Sequence, residues 1–180
     1  MKTKFLVVLL FPATSIYAQN KYDHVLYNDL MDVKGTEYVI GKVDNWGKAS
    51  RNSQHLAFIN TRNGEVYKVN FPTEAYIEKV QQIKNDSLGI NKVVVSAKTI
   101  DLDGKNSIDW NDPKQIFLLS PDGREKKQIT ADDFFISTWI INNETGRIVI
   151  TGHVDSNVNG KHDNRDKNQI LVYDIKDLKL

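Results

Sequence analysis

Short apolar blocks recur along this chain at a fixed interval. Three triplets stand out, Tyr38-Val39-Ile40, Val93-Val94-Val95 and Ile148-Val149-Ile150, and the step from Ile40 to Val95 equals that from Val95 to Ile150. Each is followed by a polar loop containing glycine, "DNWGK", "DLDGK" and "NVNGK". A second apolar run follows each loop: "HLAFI" from His55, "QIFLL" from Gln115 and "QILVY" from Gln169. Turns come next, "TRNG", "SPDG" and the weaker "DIKD", then the runs "EVYKV" and "KKQIT". A fourth run closes the first two repeats, "AYIEKV" from Ala75 and "FFISTWII" from Phe134.

Runs this short, rich in Val, Ile, Phe and Tyr and bounded by Asn, Asp and Gly, predict strands separated by tight turns. Residues 75–83, "AYIEKVQQI", also fit a helix, but the matching stretch with Phe134, Phe135, Thr138 and Trp139 favours strand. About four strands in 55 residues is the size of one propeller blade.

The segment "QIFLLSPDGREKKQIT" resembles the blade signature of TolB-like, WD40-like (PD40-type) propellers, in which a strand leads to an Asp-Gly turn and an Ile/Leu-Thr strand end. The loops "DLDGK" and "DSNVNGK" are similar to Asp/Asn-Gly insertions between the blade strands of secreted bacterial members. The likeness covers roughly residues 90–180, and 37–80 more faintly. It implies an all-β chain of about three four-stranded, propeller-blade-like repeats, an incomplete or open propeller. An irregular β-sandwich is the alternative. Closed propellers have four to eight blades, so residues 19–36 are a candidate for the strand missing after Leu178–Leu180. Two apolar flanks would still remain, and a homo-oligomer, with a dimer making six blades, is the expected way to cover them.

The first residues change the picture of where such a domain works. "MKTKFLVVLLFPATSIYAQN" has Lys2 and Lys4 at its start, a short apolar core from Phe5 to Phe11, and Ala18 at a plausible cleavage point. Residues 1–18 are therefore expected to be a signal peptide and 19–180 a single β-repeat domain, periplasmic or secreted. The apolar run is too short for a membrane span. The sequence contains no cysteine, which excludes disulfides and lipid attachment through an N-terminal cysteine. Losing Lys2 and Lys4 from 24 basic residues leaves 22 against 23 acidic ones. With no basic stripe, no nucleic-acid partner is expected; Arg124, Lys126 and Lys127 sit beside Glu125 as a solvated face.

The candidate chemistry lies in the loops. Calcium takes six to eight oxygen ligands on a flexible loop with a glycine at its sharp turn. Counting Asp155 as one, Asn157 and Asn159 fall at three and five, Gly160 at six, the Lys161 carbonyl at seven, Asp163 at nine and Asp166 at twelve. That register matches the twelve-residue loop of helix–loop–helix calcium proteins, set here between strands. The competing reading is an Asn/Asp turn that bonds its own backbone. A weaker second loop offers Asp101, Asp103, Asp109 and Asp112, with Thr99 as its first position if Gly104 is aligned at six, and two extra residues after the glycine. The first loop, with Asp44, keeps no ligand set.

Catalytic patterns are missing from the sequence. His24, His55, His153 and His162 lack the H-E-x-x-H spacing, and no serine lies in G-x-S-x-G. His153, His162 and Asp155 form a weaker transition-metal candidate. Trp46 and Trp110 fall in loops, where they could stack on a sugar, whereas Trp139 falls in a strand and reads as core. The expected protein is a non-enzymatic binding or scaffold module, calcium-stabilised, that meets a protein or cell-envelope partner. The alternatives are an accessory module related to the propellers of serine peptidases, and a carbohydrate-binding protein.

Overall fold

A computed structural model describes Tyr27 and residues 29–42, 55–105 and 107–176. The expected signal peptide, His24, Asp44 and Trp46 lie outside the described residues. Eleven strands form three antiparallel sheets, and no helix occurs among the described residues. The first sheet runs β1 (Asp29–Asp32), β2 (Tyr38–Lys42), β3 (His55–Asn60) and β4 (Val66–Asn70), in that spatial order. The second runs β5 (Tyr76–Asn85), β6 (Ile90–Lys98), β7 (Gln115–Leu119) and β8 (Lys126–Gln128). The third holds β9 (Phe134–Asn142), β10 (Arg147–Val154) and β11 (Lys167–Asp174), with β10 at its centre.

The chain is thus all-β, and the interval between the apolar triplets is the interval between sheets. The ambiguous stretch 75–83 is strand, inside β5. One expectation fails. The strand within residues 19–36 does not complete the third sheet: β1 pairs with β2, Met31 opposite Ile40, and belongs to the first. The short turn from Val33 to Glu37 makes that local hairpin the least costly pairing to close.

Sheet stacking explains the composition of the strands. Val93, Val95, Ala97, Phe117 and Leu119 of the middle sheet pack with Ile40, Leu56, Phe58 and Val69 of the first. Val94, Ile116 and Leu118, from the opposite face, pack with Phe134, Ile136, Ile148 and Ile150 of the third. A sheet covered on both sides needs apolar residues at every position of its central strands. That is why "VVV" and "QIFLL" are continuous rather than alternating. Full burial of each such side chain contributes roughly 1.5–3 kcal/mol. Lys126 helps join the first two sheets: its ammonium bonds the Asn70 carbonyl at 2.7 Å and lies 4.6 Å from the Phe71 ring centroid.

Among the described residues, the outer sheets each keep apolar side chains exposed on the face away from the middle sheet. Leu30 and Val66 stand exposed on the first, and Ile140, Ile170 and Val172 on the third. At the other extreme, the connections β6–β7 and β10–β11 leave equivalent corners of the second and third sheets, and both carry the acidic loops.

Candidate metal centre and its surroundings

The two acidic loops fold by the same hydrogen-bond scheme. Asp155 accepts from the backbone N–H groups of Asn159 at 3.1 Å and Gly160 at 2.7 Å, and Asp101 accepts from that of Lys105 at 3.1 Å. Asn157 Oδ1 accepts from Asn159 N–H, and Asp103 Oδ1 from Lys105 N–H, both at 3.2 Å. At the far end Asp166 accepts from the N–H groups of Ser156 and Asp163, while Asp112 accepts from those of Leu102 and Asp109. The offset along the chain is constant: Asp155 corresponds to Asp101, Asn157 to Asp103, Asp163 to Asp109 and Asp166 to Asp112. Val158 and Gly104, at the same offset, both adopt a left-handed backbone, with φ of 56° and 67°.

This equivalence corrects the register read for the second loop. Its first position is Asp101, not Thr99, and no extra residues separate its halves. Asp103, Asp109 and Asp112 fall at three, nine and twelve. Gly104 occupies position four, where the chain turns left-handed, rather than six.

The second loop is also the more convergent one. Carboxylate oxygens of Asp101, Asp103 and Asp112 lie within 4.8 Å of one another, close enough to share one cation. In the loop at 155–166, position three is the neutral Asn157. Asn157 and Asn159 direct their amide nitrogens onto Asp163 Oδ2 at 3.1 and 2.8 Å. The Arg165 backbone N–H, together with the Asn157 amide, holds the Asp163 carboxyl below the usual carboxylate range. Asp103 is held low by its hydrogen bond from the Lys105 ammonium, at 2.6 Å. Both groups therefore stay ionised, as a hard-cation ligand must. Lys161 N–H bonds Asn159 Oδ1, which shapes the turn that would present the Lys161 carbonyl.

The loops touch. A Cβ placed on Gly160 would lie 2.8 Å from Asp103 Cα and from the Leu102 carbonyl oxygen. Glycine at 160 thus serves a close approach between two repeats as well as its positive φ of 71°.

Two residues not anticipated from sequence hold the second loop. Gln115, fully buried, accepts from the Thr99 N–H and hydroxyl and donates to the Pro113 carbonyl, tying both stems of the loop together. Lys98 directs its ammonium onto the carbonyls of Asp109, Trp110 and Asp112 at 3.2, 2.9 and 2.7 Å. Burial lowers its pKa, against the opposing effects of Glu78 and Asp112. The only sequence signal was a lysine at the end of an apolar strand. Lys98→Met keeps the packing stem but leaves three carbonyls without their donor. A loss of about 2–4 kcal/mol in denaturant unfolding is expected, and a loss under about 0.5 kcal/mol would mean that water already serves those carbonyls.

The remaining candidates separate. His55 bonds the Tyr27 hydroxyl. His153 and His162 lie tilted against each other with ring centroids 4.2 Å apart, but with Asp155 they do not make a converging three-ligand group among the described residues. Asp155 turns both oxygens to backbone N–H groups instead. Trp139 packs against the core with the Lys79 ammonium 4.4 Å from its ring centroid, whereas Trp110 is 85% exposed. No family model fits the chain, and no curated protein matches it.

Proposed function

We propose that this chain is a secreted or periplasmic, non-enzymatic binding or scaffold protein, built of TolB-like, WD40-like propeller blades and stiffened by calcium at its acidic loops. The observation that carries this reading is the shared hydrogen-bond scheme of the two loops. Two corners of the fold, in successive repeats, place carboxylates at the same three positions, one, nine and twelve, of the same turn. Asp101, Asp103 and Asp112 bring three carboxylates within 4.8 Å, a repulsion of about 1 kcal/mol per pair at 4 Å in water that the Lys105 ammonium on Asp103 offsets in part. A divalent cation reverses its sign. The partner is a protein or a cell-envelope component, met by loops that the sheets hold rigid.

Blade-like stacking also supports self-association. The free face of the third sheet aligns Ile140, Val149 and Val172 across its strands, and that of the first aligns Val39, Ile59 and Val66. Each face sets these apolar residues among polar ones, with Arg147 and Asp174 on the third sheet and Lys68 on the first. A second copy would bury the third sheet of each chain against the first sheet of the other and close a ring of six sheets. Sedimentation of residues 19–180 at about micromolar concentration is expected to show a dimer with calcium. A monomer that resists proteolysis would overturn ring closure.

A further inference from the structure

A cleft of about 540 Å³ opens between the second and third sheets, beside the acidic loops. Two β-bulges shape it. In β5, Glu78 is the extra residue between Ile77, opposite Ala97, and Lys79, opposite Ser96. In β9, Ser137 is the extra residue between Ile136, opposite Gly152, and Thr138, opposite Thr151. Both extra residues line the cleft. A bulge re-aims one side chain out of the ladder, and the same device stands here at the same corner of two sheets.

The walls are largely polar. His153 lines the cleft, but its Nδ1 is shielded from solvent, and so from a ligand, and has no hydrogen-bond partner among the described residues. The two carboxylates of the lining are already engaged. Asp112 accepts from two backbone N–H groups, and Glu78 faces the Lys114 ammonium at 3.2 Å and the Ser96 hydroxyl at 3.3 Å. Lys98 and Lys114 are engaged as well, with the loop carbonyls and with Glu78, so the exposed Lys161 is the cation that the lining turns to solvent. At the mouth stands Trp110, 85% exposed and tilted against Tyr76 with ring centroids 6.3 Å apart. An exposed indole costs the fold apolar hydration and offers a flat platform with polar groups around it. The volume suits a ligand of a few rings, within the usual range of about 300–1,000 Å³.

We infer that the cleft binds an acidic saccharide. One uronic-acid ring stacks its apolar face on Trp110, and its carboxylate lies toward Lys161. This rests on the reading of the chain as a binding protein and names its partner class, a carboxylated glycan of the kind found in cell envelopes. It does not depend on ring closure or on calcium.

Calorimetric titration of residues 19–180 in calcium, with digalacturonate, lactose and sodium sulfate as separate probes, tests it. Digalacturonate is expected to bind with Kd of about 0.1–1 mM, as fits one small site, and lactose at least about tenfold more weakly. Trp110→Ala is expected to weaken digalacturonate about tenfold and Trp110→Tyr much less, since tyrosine keeps a platform. Lys161→Ala, which retains the backbone carbonyl of the acidic loop, is expected to weaken it about threefold or more. No heat with digalacturonate, equal binding of lactose, displacement by equimolar sulfate, or indifference to Trp110→Ala would each overturn the inference. A thermal melt of the same sample with and without calcium separates the failures. A calcium-stabilised protein that ignores digalacturonate defeats this inference alone, and a protein that binds it without a calcium response defeats the calcium reading alone.

Discussion

Gly152→Ala is expected to destabilise the protein by about 3 kcal/mol, although alanine is the smallest possible addition. An ideal Cβ at this position lies 2.2 Å from the Phe135 carbonyl oxygen and 2.9 Å from Phe134 Cζ. The first neighbour is backbone in the paired strand, and the second belongs to a ring that is 1% exposed, in the core between the second and third sheets. Neither can retreat, so the bulge that places Ser137 must open. For a domain of this size the melting temperature should fall by about 6–12 °C. Gly89→Ala is the comparison. Gly89 has a positive φ of 65° but nothing within 4 Å of its Cβ, so only the backbone penalty of roughly 1–2 kcal/mol applies. A Gly152→Ala protein that melts no lower than Gly89→Ala would show that the strands do not approach as described. A destabilised but folded Gly152→Ala protein should also bind digalacturonate less well, because the bulge forms one wall of the cleft.

Calcium at about 1 mM is expected to raise the melting temperature by about 6–11 °C. Each loop is expected to bind calcium as weakly as the sites of extracellular modules, with affinity on the order of 10⁻⁴ M. One such site contributes RT ln(1 + 10), about 1.4 kcal/mol, and two independent sites about 2.8 kcal/mol. Magnesium should do less, because it dehydrates reluctantly and demands an octahedral cage. Asp155→Ala should remove about half the shift, and Asp101→Ala combined with Asp155→Ala all of it. The same double variant should melt closer to the wild type in chelator than in calcium, since it relieves carboxylate repulsion. Contact between Gly160 and Asp103 makes the loops neighbours, so the single variants need not add. If magnesium matches calcium, or the double variant keeps the shift, both loops are turns held by their own N–H groups.

The strands were legible because burial writes a strong pattern. "QIFLL" is the whole of β7, and the three triplets fall in β2, β6 and β10; like β7, each of these has a neighbouring strand on both sides. The turn at 155–166 was legible because Gly160 stands at the left-handed position that a twelve-residue register assigns to glycine. The second loop was misaligned because glycine was used as the anchor, and either position four or position six can carry the left-handed turn. Val158 makes the point: a branched, exposed residue adopts φ of 56° where its counterpart is Gly104. Hydrogen bonds to the terminal aspartates, not the glycine, hold the register.

By itself the sequence determined strand class, the repeat interval and the acidic loops, since each is set by neighbours a few residues apart: alternating or continuous apolar positions, turn residues, carboxylates at short spacing. The tertiary structure decided everything that depends on distant segments meeting. It put β1 in the first sheet, brought Gly160 against Asp103, pointed Lys98 at three carbonyls of a loop that begins beyond it, and left His153 Nδ1 without a partner beside an exposed Trp110. Packing between successive repeats has no local signature, because a Gly, a Lys or a His is chosen there by the space and the dipoles that another repeat supplies.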